Sequence, residues 1–344
     1  MTSPFSLSQI DAQLASDLQA NLVEIEVSLL ASTESKDPFI SEIAGHLAQA
    51  GGKRFRPLLV SMASELGHPT PKVNDSAVVV ELTHLATLYH DDVMDEAPRR
   101  RGTESVNARW DNTLAILTGD FLFARASNIL SDLGPEAVRI QAQTFERLVS
   151  GQIRETVGPQ GLKDPVQHHV EVLADKTGSL IATAARFGGM FAGLPEEVLS
   201  ALTSFGESVG VAFQIADDLL DIASEGAVSG KTPGTDLREG IMTLPMLLVA
   251  ASNDDSDSEL KALLGRELPD DVDHQRALEL MRAHPAMVAA QAEADRWAAL
   301  AIDSLAEIRH MAGQTPEMFA TPDRVEAVLT ALELVCRSTA HREV

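Results

Sequence analysis

The chain has 344 residues and is 44% hydrophobic, enough apolar material for one large core or two moderate ones. Aromatics make up only 4%, which favours helices over sheets, since strands draw on aromatic and β-branched residues. A formal net charge of −24 argues against duplex nucleic acid as a partner and predicts a solvated acidic surface, unless a few acids cluster with metal-binding spacing.

Apolar residues recur at helical period almost throughout. Leu14, Leu18, Leu22 and Ile25 step by three and four residues and predict a first amphipathic helix. The same pattern predicts helices over about 37–49, 54–66, 73–95, 112–131, 136–157, 166–188, 196–223, 240–252, 275–309 and 322–340. Gly and Pro punctuate them at Gly51-Gly52, Gly67-His68-Pro69, Gly134-Pro135, Gly158-Pro159, Leu194-Pro195 and Pro233-Gly234. With no strand–helix alternation, the expectation is an all-α fold: one domain over 1–344, with a core over about 37–250 and peripheral helices from about 252 onward. The acids of 252–258 and 268–271 are expected to cap helices in exposed connections.

Cys336 is the one cysteine, so no disulfide framework or cysteine-rich zinc site forms within the chain, and a reducing cytoplasm is the expected location. Lys36 is the first basic residue, so the start lacks the charged region of a signal peptide. No apolar run approaches the roughly 18 residues a membrane span needs.

Two acidic strings stand out: Asp91-Asp92-Val93-Met94-Asp95 and Asp217-Asp218-Leu219-Leu220-Asp221. Each follows an apolar stretch, Val78, Val79, Leu82, Leu85 and Leu88 before the first, and Val209, Val211, Phe213 and Ile215 before the second. Each therefore ends a buried helix. Asp91 and Asp95 are four apart and share a face. Like charges at that spacing, at the C-terminal pole of a helix, are unfavourable without a cation. Carboxylate oxygens suit magnesium, which prefers a few carboxylates plus water and substrate phosphates. Two such clusters facing each other would leave room for a diphosphate.

A diphosphate also needs direct cationic contacts. Gly51-Gly52-Lys53-Arg54-Phe55-Arg56-Pro57 sets three basic residues beside a glycine pair. Arg99-Arg100-Arg101-Gly102 follows the first acidic string, and Lys176-Thr177-Gly178 and Lys231-Thr232-Pro233-Gly234-Thr235-Asp236 add two lysines. With 27 basic residues in the whole chain, their gathering beside turns and acidic strings is informative. No GxxxxGK[ST] loop occurs.

Taken in order, GGKRFRP at 51–57, THLATLYHDDVMDE at 83–96, RRG at 100–102, GD at 119–120, GQ at 151–152, KTG at 176–178, FQIADDLLD at 213–221 and GKTPGTDLREGIMTLP at 230–245 resemble the trans-isoprenyl diphosphate (polyprenyl) synthases. The resemblance implies roughly a dozen helices around a deep cavity, usually in a homodimer. It implies sequential head-to-tail condensation of isopentenyl diphosphate onto an allylic diphosphate. By position, Asp91, Asp95 and Asp217 would ligate magnesium, roughly three ions per site, with Asp92, Asp218 and Asp221 near or acting through water. Lys53, Arg56, His84 and Arg101 would bind isopentenyl diphosphate. Arg100, Lys176, Thr177, Gln214 and Lys231 would bind the allylic diphosphate, with Lys176 and Lys231 catalytic alongside the metal-binding acids. His84 lies seven residues before Asp91 on the same helix face; for His90, beside the acids, a supporting hydrogen bond and a catalytic role stand equally open.

In short-chain relatives bulky aromatics below the first acidic motif act as a floor. Here Ala86, five residues before Asp91 and about 7.5 Å deeper, and Thr87 are small, and only two residues separate the acids of the motif. That pattern implies a long-chain product of about six to ten isoprene units, with a geranylgeranyl (four-unit) synthase as the alternative; Phe121, Phe123 or Phe145 would raise the floor. The direction of Tyr89, the only tyrosine, is left open. A terpene cyclase would not need the Lys53, Arg56 and Arg101 set, and a non-catalytic partner subunit would be expected to lack some of these positions.

Overall fold

A computed structural model describes residues 7–161, 164–224 and 233–341. Helix follows helix: α1 Ala12–Thr33, α2 Pro38–Gln49, α3 Phe55–Ser64 and α4 Lys72–Met94. A hairpin of two-residue strands, β1 Arg99–Arg100 and β2 Thr103–Glu104, precedes α5 Val106–Arg109, α6 Asn112–Leu133, α7 Pro135–Val157 and α8 Pro165–Leu173. A π-helical turn, Ala174–Gly178, leads into α9 Ser179–Phe191. Then come α10 Glu196–Ala223, α11 Thr235–Glu239, α12 Leu244–Ala251, α13 Ser258–Leu263, α14 Asp271–Ala283, α15 Pro285–Gln314 and α16 Pro322–Ala340.

The helix starts follow from side-chain capping of unpaired N–H groups. Asp11 accepts from Leu14 N at 2.9 Å, and Asp111 from Leu114 N at 2.8 Å. Asp37 and Asp164 cap helices that carry Pro at their first position, where its missing N–H costs nothing. The acids of the two exposed connections are caps as expected: Asp254 accepts from Ser256 N and Asp270 from Val272 N.

Four departures from the expected pattern have local causes. The helix expected over 275–309 is two, because Pro285 has no N–H and His284 before it is extended (ψ 139°). The one expected over 166–188 is interrupted by the π turn. The region 240–252 holds α12 only from Leu244, after the left-handed Gly240 that ends α11. The hairpin is too short to show alternation; its turn residues Arg101 and Gly102 both have positive φ (53° and 80°), the twist that two-residue hairpins favour. An 18-residue window of α10 also reaches mean hydropathy 1.3, long and apolar enough to cross a membrane, contrary to expectation. Of that window 67% is buried within the protein, as in a core helix.

By internal packing the chain forms two compact units. The first takes the chain up to Phe145 with Leu180–Gly206 and Ser304–Leu334; the second takes Glu146–Ser179, Glu207–Asp303 and Val335 onward. In the first, α4 is the central helix, packed against α1, α3 and α6. It is apolar on nearly every side, with Val78, Val79, Val80, Leu82, Leu85 and Ala86 all buried. Full burial of a Val or Leu side chain is worth about 1.5–3 kcal/mol, so this helix cannot shift register without large loss. Gly119 lets α6 approach it: a Cβ there would overlap the His90 ring and stand 3.1 Å from Ala86 O. In the second unit, Leu173, Val211, Ile215, Leu219 and Leu244 pack with Ala290 and Ala294, while Ile222, Leu237, Met246, Val249 and Leu278 form a further cluster. These clusters fix the last turns of α10.

Candidate active site

In the first unit, Asp91 lies in the last turn of α4 and Asp95 is its C-cap, with Asp95 N bonded to Asp91 O at 2.8 Å. Asp92, between them, is fully buried. Its Oδ1 accepts from Arg100 Nε at 2.5 Å, and Arg100 also reaches Asp95 at 3.5 Å. Asp92 Oδ2 is buried without a hydrogen-bond partner. Burial pushes the Asp92 carboxyl up, Arg100 opposes this, and Asp95 adds to it. Arg100, expected on the allylic diphosphate, is here the counter-ion of the acidic motif.

The basic turn is built around Glu81, a carboxylate of α4 only 2% exposed. Arg54 donates to Glu81 at 3.0 Å, to both oxygens of Glu26 at 2.7 and 2.8 Å, and to Ala48 O at 2.7 Å. Arg101 reaches Glu81 at 3.5 Å and donates to Leu47 O at 3.1 Å and to Gly51 O. Arg54 and Arg101 thus turn inward and hold the 51–57 turn to α4. Lys53 is exposed and Arg56 half-buried. Arg56 Nε has no partner, and burial brings its guanidinium down to about 10, still charged at neutral pH. Arg54 and Arg101 share the two carboxylates Glu26 and Glu81. Among the described residues, the non-glycine positions with positive φ are Arg54 (47°), Glu96 (47°) and Arg101 (53°), all flanking this region. Such backbone is kept where surrounding contacts over-determine it, commonly at functional sites.

His84 is half-buried, and its carbonyl takes the Thr87 hydroxyl at 2.8 Å. Burial, then Arg56, Arg101, Arg100 and Arg54, hold its imidazole well below 6.5. Folded His84 therefore stays neutral where the unfolded chain takes up a proton. The unfolded state binds more protons below about pH 6.5, so stability falls as pH drops through that value and is flat above it. The variant His84→Gln is expected to lose part of this acid-side slope in melting temperature measured from pH 7.5 to 5.5; an unchanged slope would contradict a neutral His84.

Tyr89 points at α2, its hydroxyl donating to Ile43 O at 2.7 Å, which settles its open direction. His90 points at α6, 3.1 Å from Ile116 O and 3.5 Å from Asp120, with its ring 5.9 Å from Phe123. Phe123 packs on Phe145 at 4.4 Å between ring centres. Ala86 is fully buried, and Thr87 is half-buried.

In the second unit, Asp217 is exposed, Asp218 buried and Asp221 half-buried in the last two turns of α10. Thr177 Oγ1 donates to Gln214 Oε1 at 3.4 Å, and Gln214 Nε2 to Asp218 Oδ1 at 3.1 Å. His169 Nε2 lies 3.6 Å from Asp218 Oδ2, a charge neighbour beyond hydrogen-bond reach. Burial pushes Asp218 up, against the pull of His169 and Gln214. Lys176 Nζ pairs with Glu155 at 2.5 Å; both side chains are partly exposed, and such pairs are worth about 0–1 kcal/mol and exchange readily. Asp236 N donates to Asp221 Oδ2 at 3.1 Å, and Gly234 N to Asp221 O at 2.8 Å. Burial, then Asp221 and Asp218, push the Asp236 carboxyl up to about 7. Lys231 lies outside the described residues.

In the first unit Arg100 pairs with Asp92 and Asp95, and the charges of Arg56, Arg101 and Arg100 reach His84; in the second, Thr177 and Gln214 lead by hydrogen bonds to Asp218, while Lys176 pairs with Glu155. Sequence reasoning missed Glu81 and His169, and it named Arg54 and Asp236 without foreseeing that Arg54 turns inward or that Asp236 is pushed up beside Asp221. A lone acid in the apolar run before His84 was a signal for Glu81, and the GTD of 234–236 one for Asp236; His169 carried none. Among the described residues no three His, Cys, Asp or Glu side chains form a ready metal cage. The donors are carboxylates, one has an unpaired buried oxygen, and several are pushed up by burial and, to a lesser degree, by neighbouring carboxylates. That fits a hard divalent cation completing its shell with water and ligand oxygens.

The polyprenyl synthetase family profile matches residues 37–281. The chain belongs to the polyprenyl synthetase family. It is a prenyltransferase with an all-α isoprenoid synthase fold. It is 46% identical to the nonaprenyl diphosphate synthase of Mycobacterium tuberculosis (strain ATCC 25618 / H37Rv), over 88% of this chain and 91% of that protein. The geranylgeranyl pyrophosphate synthase of Corynebacterium glutamicum, solved with calcium and isoprenyl diphosphate, superposes with TM-score 0.81 at 42% identity, covering 95% of this chain and 98% of that one. A decaprenyl diphosphate synthase from Rhodobacter capsulatus gives TM-score 0.81 at 31% identity, with 94% and 98% covered.

Proposed function

We propose that this prenyltransferase condenses isopentenyl diphosphate head-to-tail onto an allylic diphosphate such as farnesyl or geranylgeranyl diphosphate, repeating to an all-trans product of about six to ten isoprene units for a quinone side chain. The observation that carries it is that the family match spans both acidic helix ends, with Arg100 on Asp92 and Asp95 in one unit and the Thr177–Gln214 pair leading to Asp218 in the other. Lys53, Arg56, His84 and Arg101 take isopentenyl diphosphate. Lys176, Thr177, Gln214 and Lys231 take the allylic diphosphate with Arg100. Asp91, Asp95 and Asp217 hold magnesium, roughly three ions, with Asp92, Asp218 and Asp221 acting directly or through water. Bound magnesium supplies electrostatic stabilisation of the leaving diphosphate.

The lysines and Arg100 share that task as fixed charges, needing no reorganisation as the allylic C–O bond breaks. Apolar helix surfaces below the acids keep water from the allylic cation. The double bond of isopentenyl diphosphate attacks the cation's C1 and forms the new C–C bond. A proton leaves the adjacent carbon of the isopentenyl unit for the released diphosphate, restoring a double bond without a protein base. We read the enzyme as a cytoplasmic homodimer; the exposed Ile116 and Leu117 of α6 offer an apolar contact for a second copy.

Product length is set on α4. Thr87→Phe adds a ring at a half-buried position, whereas a ring at the fully buried Ala86 would overpack the core. With farnesyl diphosphate as primer, chain-length analysis is expected to show wild type ending at six to ten units, by the estimate above, and Thr87→Phe ending shorter. The likeness to the geranylgeranyl pyrophosphate synthase and the Phe123–Phe145 pair favour a second reading, a four-unit product. A wild-type product stopping at four units would establish that reading.

A further inference from the structure

The turn Ala174–Gly178 is π-helical and carries both Lys176 and Thr177. A π turn holds one residue more than an α-helical turn, with poorer hydrogen bonds, so it persists where neighbouring contacts hold it. Here the holding contacts converge on Asp175. One of its oxygens accepts from Arg147 Nε at 2.7 Å and the other from Arg154. These arginines are seven residues apart on α7, two turns along one face. Arg147 also reaches Glu207 of α10 at 2.8 Å, and the Ser179 hydroxyl closes onto Asp175 O at 2.5 Å.

Backbone contact enforces the same geometry. Gly151, between the two arginines on α7, lies so near that a Cβ would stand 2.7 Å from Lys176 N and 3.1 Å from Asp175 Cβ. Gly178, at the far end of the turn, sits against α10, where a Cβ would stand 3.2 Å from Glu207 O. The two ends of the turn are therefore docked on two helices, and Asp175 carries the charged part of the docking. Asp175 is 17% exposed, but Glu155, the partner of Lys176, is 40% exposed. The Lys176 contact is the exchangeable one and the Asp175 contact the fixed one.

The geometry points to Asp175 as a positioning residue: through Arg147 and Arg154 it locks the π turn to α7, and so aims Lys176 and Thr177 at the allylic diphosphate. Asp175 itself touches no substrate. The inference rests on the assignment of Lys176 and Thr177 above. Because the clamp serves one diphosphate, its loss separates the two substrates, which a general loss of stability would not do.

The test compares Asp175→Asn, Gly151→Val and wild type, measuring KM for the allylic primer and for isopentenyl diphosphate, the melting temperature, and binding of inorganic diphosphate with magnesium by calorimetry. Asp175→Asn is expected to raise KM for the primer about tenfold or more, by analogy with other residues that orient binding groups. KM for isopentenyl diphosphate should stay within about twofold. Gly151→Val should act in the same direction, and Arg139→Ala, which removes an exposed pair on the same helix, should change nothing. A parallel rise in both KM values, or no rise in either, overturns the inference. If a variant is too unstable to assay, inorganic diphosphate binding by the remaining one decides: affinity equal to wild type overturns the clamp. Failure of the underlying assignment shows separately, as Lys176→Ala leaving the primer's KM unchanged, and the clamp falls with it.

Discussion

Asp95→Asn is expected to lower kcat for primer extension by about 10²–10³-fold, the loss seen when one preorganised electrostatic group is removed from a charge-developing site. The metal-free melting temperature should move by no more than about 2 °C. The two halves of this expectation come from different parts of the same geometry. Asp95 is 59% exposed, and its ion pair to Arg100, at 3.5 Å, is long and solvated, so it contributes little to folding. It stands four residues from Asp91 at the negative pole of α4, and its charge adds to the burial that pushes Asp92 up. A bound divalent cation, as proposed, would offset that repulsion. Steady-state kinetics at saturating magnesium, with scanning calorimetry in chelator, measure both halves. A kcat within threefold of wild type, or a loss of activity that tracks a large fall in melting temperature, would contradict the metal-binding role.

The largest stability effect is expected at Glu81. Glu81→Gln keeps shape and removes charge, leaving the half-buried Arg101 without its carboxylate and the buried Arg54 with Glu26 alone. Breaking a buried pair by deleting one partner costs about 3–5 kcal/mol, because the remaining charge stays desolvated. Urea unfolding should show that loss with an unchanged m-value. Since Arg54 and Arg101 fasten the 51–57 turn, KM for isopentenyl diphosphate should rise as well. A loss below about 1 kcal/mol would mean that the cluster is effectively solvated.

Much of this was legible beforehand, for physical reasons that can be named. Asp91 to Asp95 and Asp217 to Asp221 each had to end a helix, because the apolar period running into them is long and unbroken; α10 ends at Ala223, where that period stops. Caps such as Asp254 and Asp270 were readable because an acid after a polar linker has an immediate backbone partner. What stayed hidden was long-range or geometric. Nothing local distinguishes Arg54, which turns into the core, from Lys53, which is exposed; the difference lies in a left-handed backbone and in Glu26 and Glu81, far away in sequence. The π turn at Lys176 is one extra residue in an otherwise helical pattern, and its cause, Arg147 and Arg154 meeting Asp175, lies on another helix. The break at Pro285 was in plain view, but the strong apolar period on both sides of it masked it. His169 meets Asp218 only through tertiary packing.

The central claim is that this prenyltransferase joins isopentenyl diphosphate to an allylic diphosphate with a divalent metal held by its acidic helix ends. Incubation with radiolabelled isopentenyl diphosphate, with and without farnesyl diphosphate, in magnesium or in chelator, tests it most directly. The account predicts label in an organic-extractable prenyl product only when primer and magnesium are both present. Incorporation that persists in chelator, or none with any allylic primer in magnesium, would contradict it.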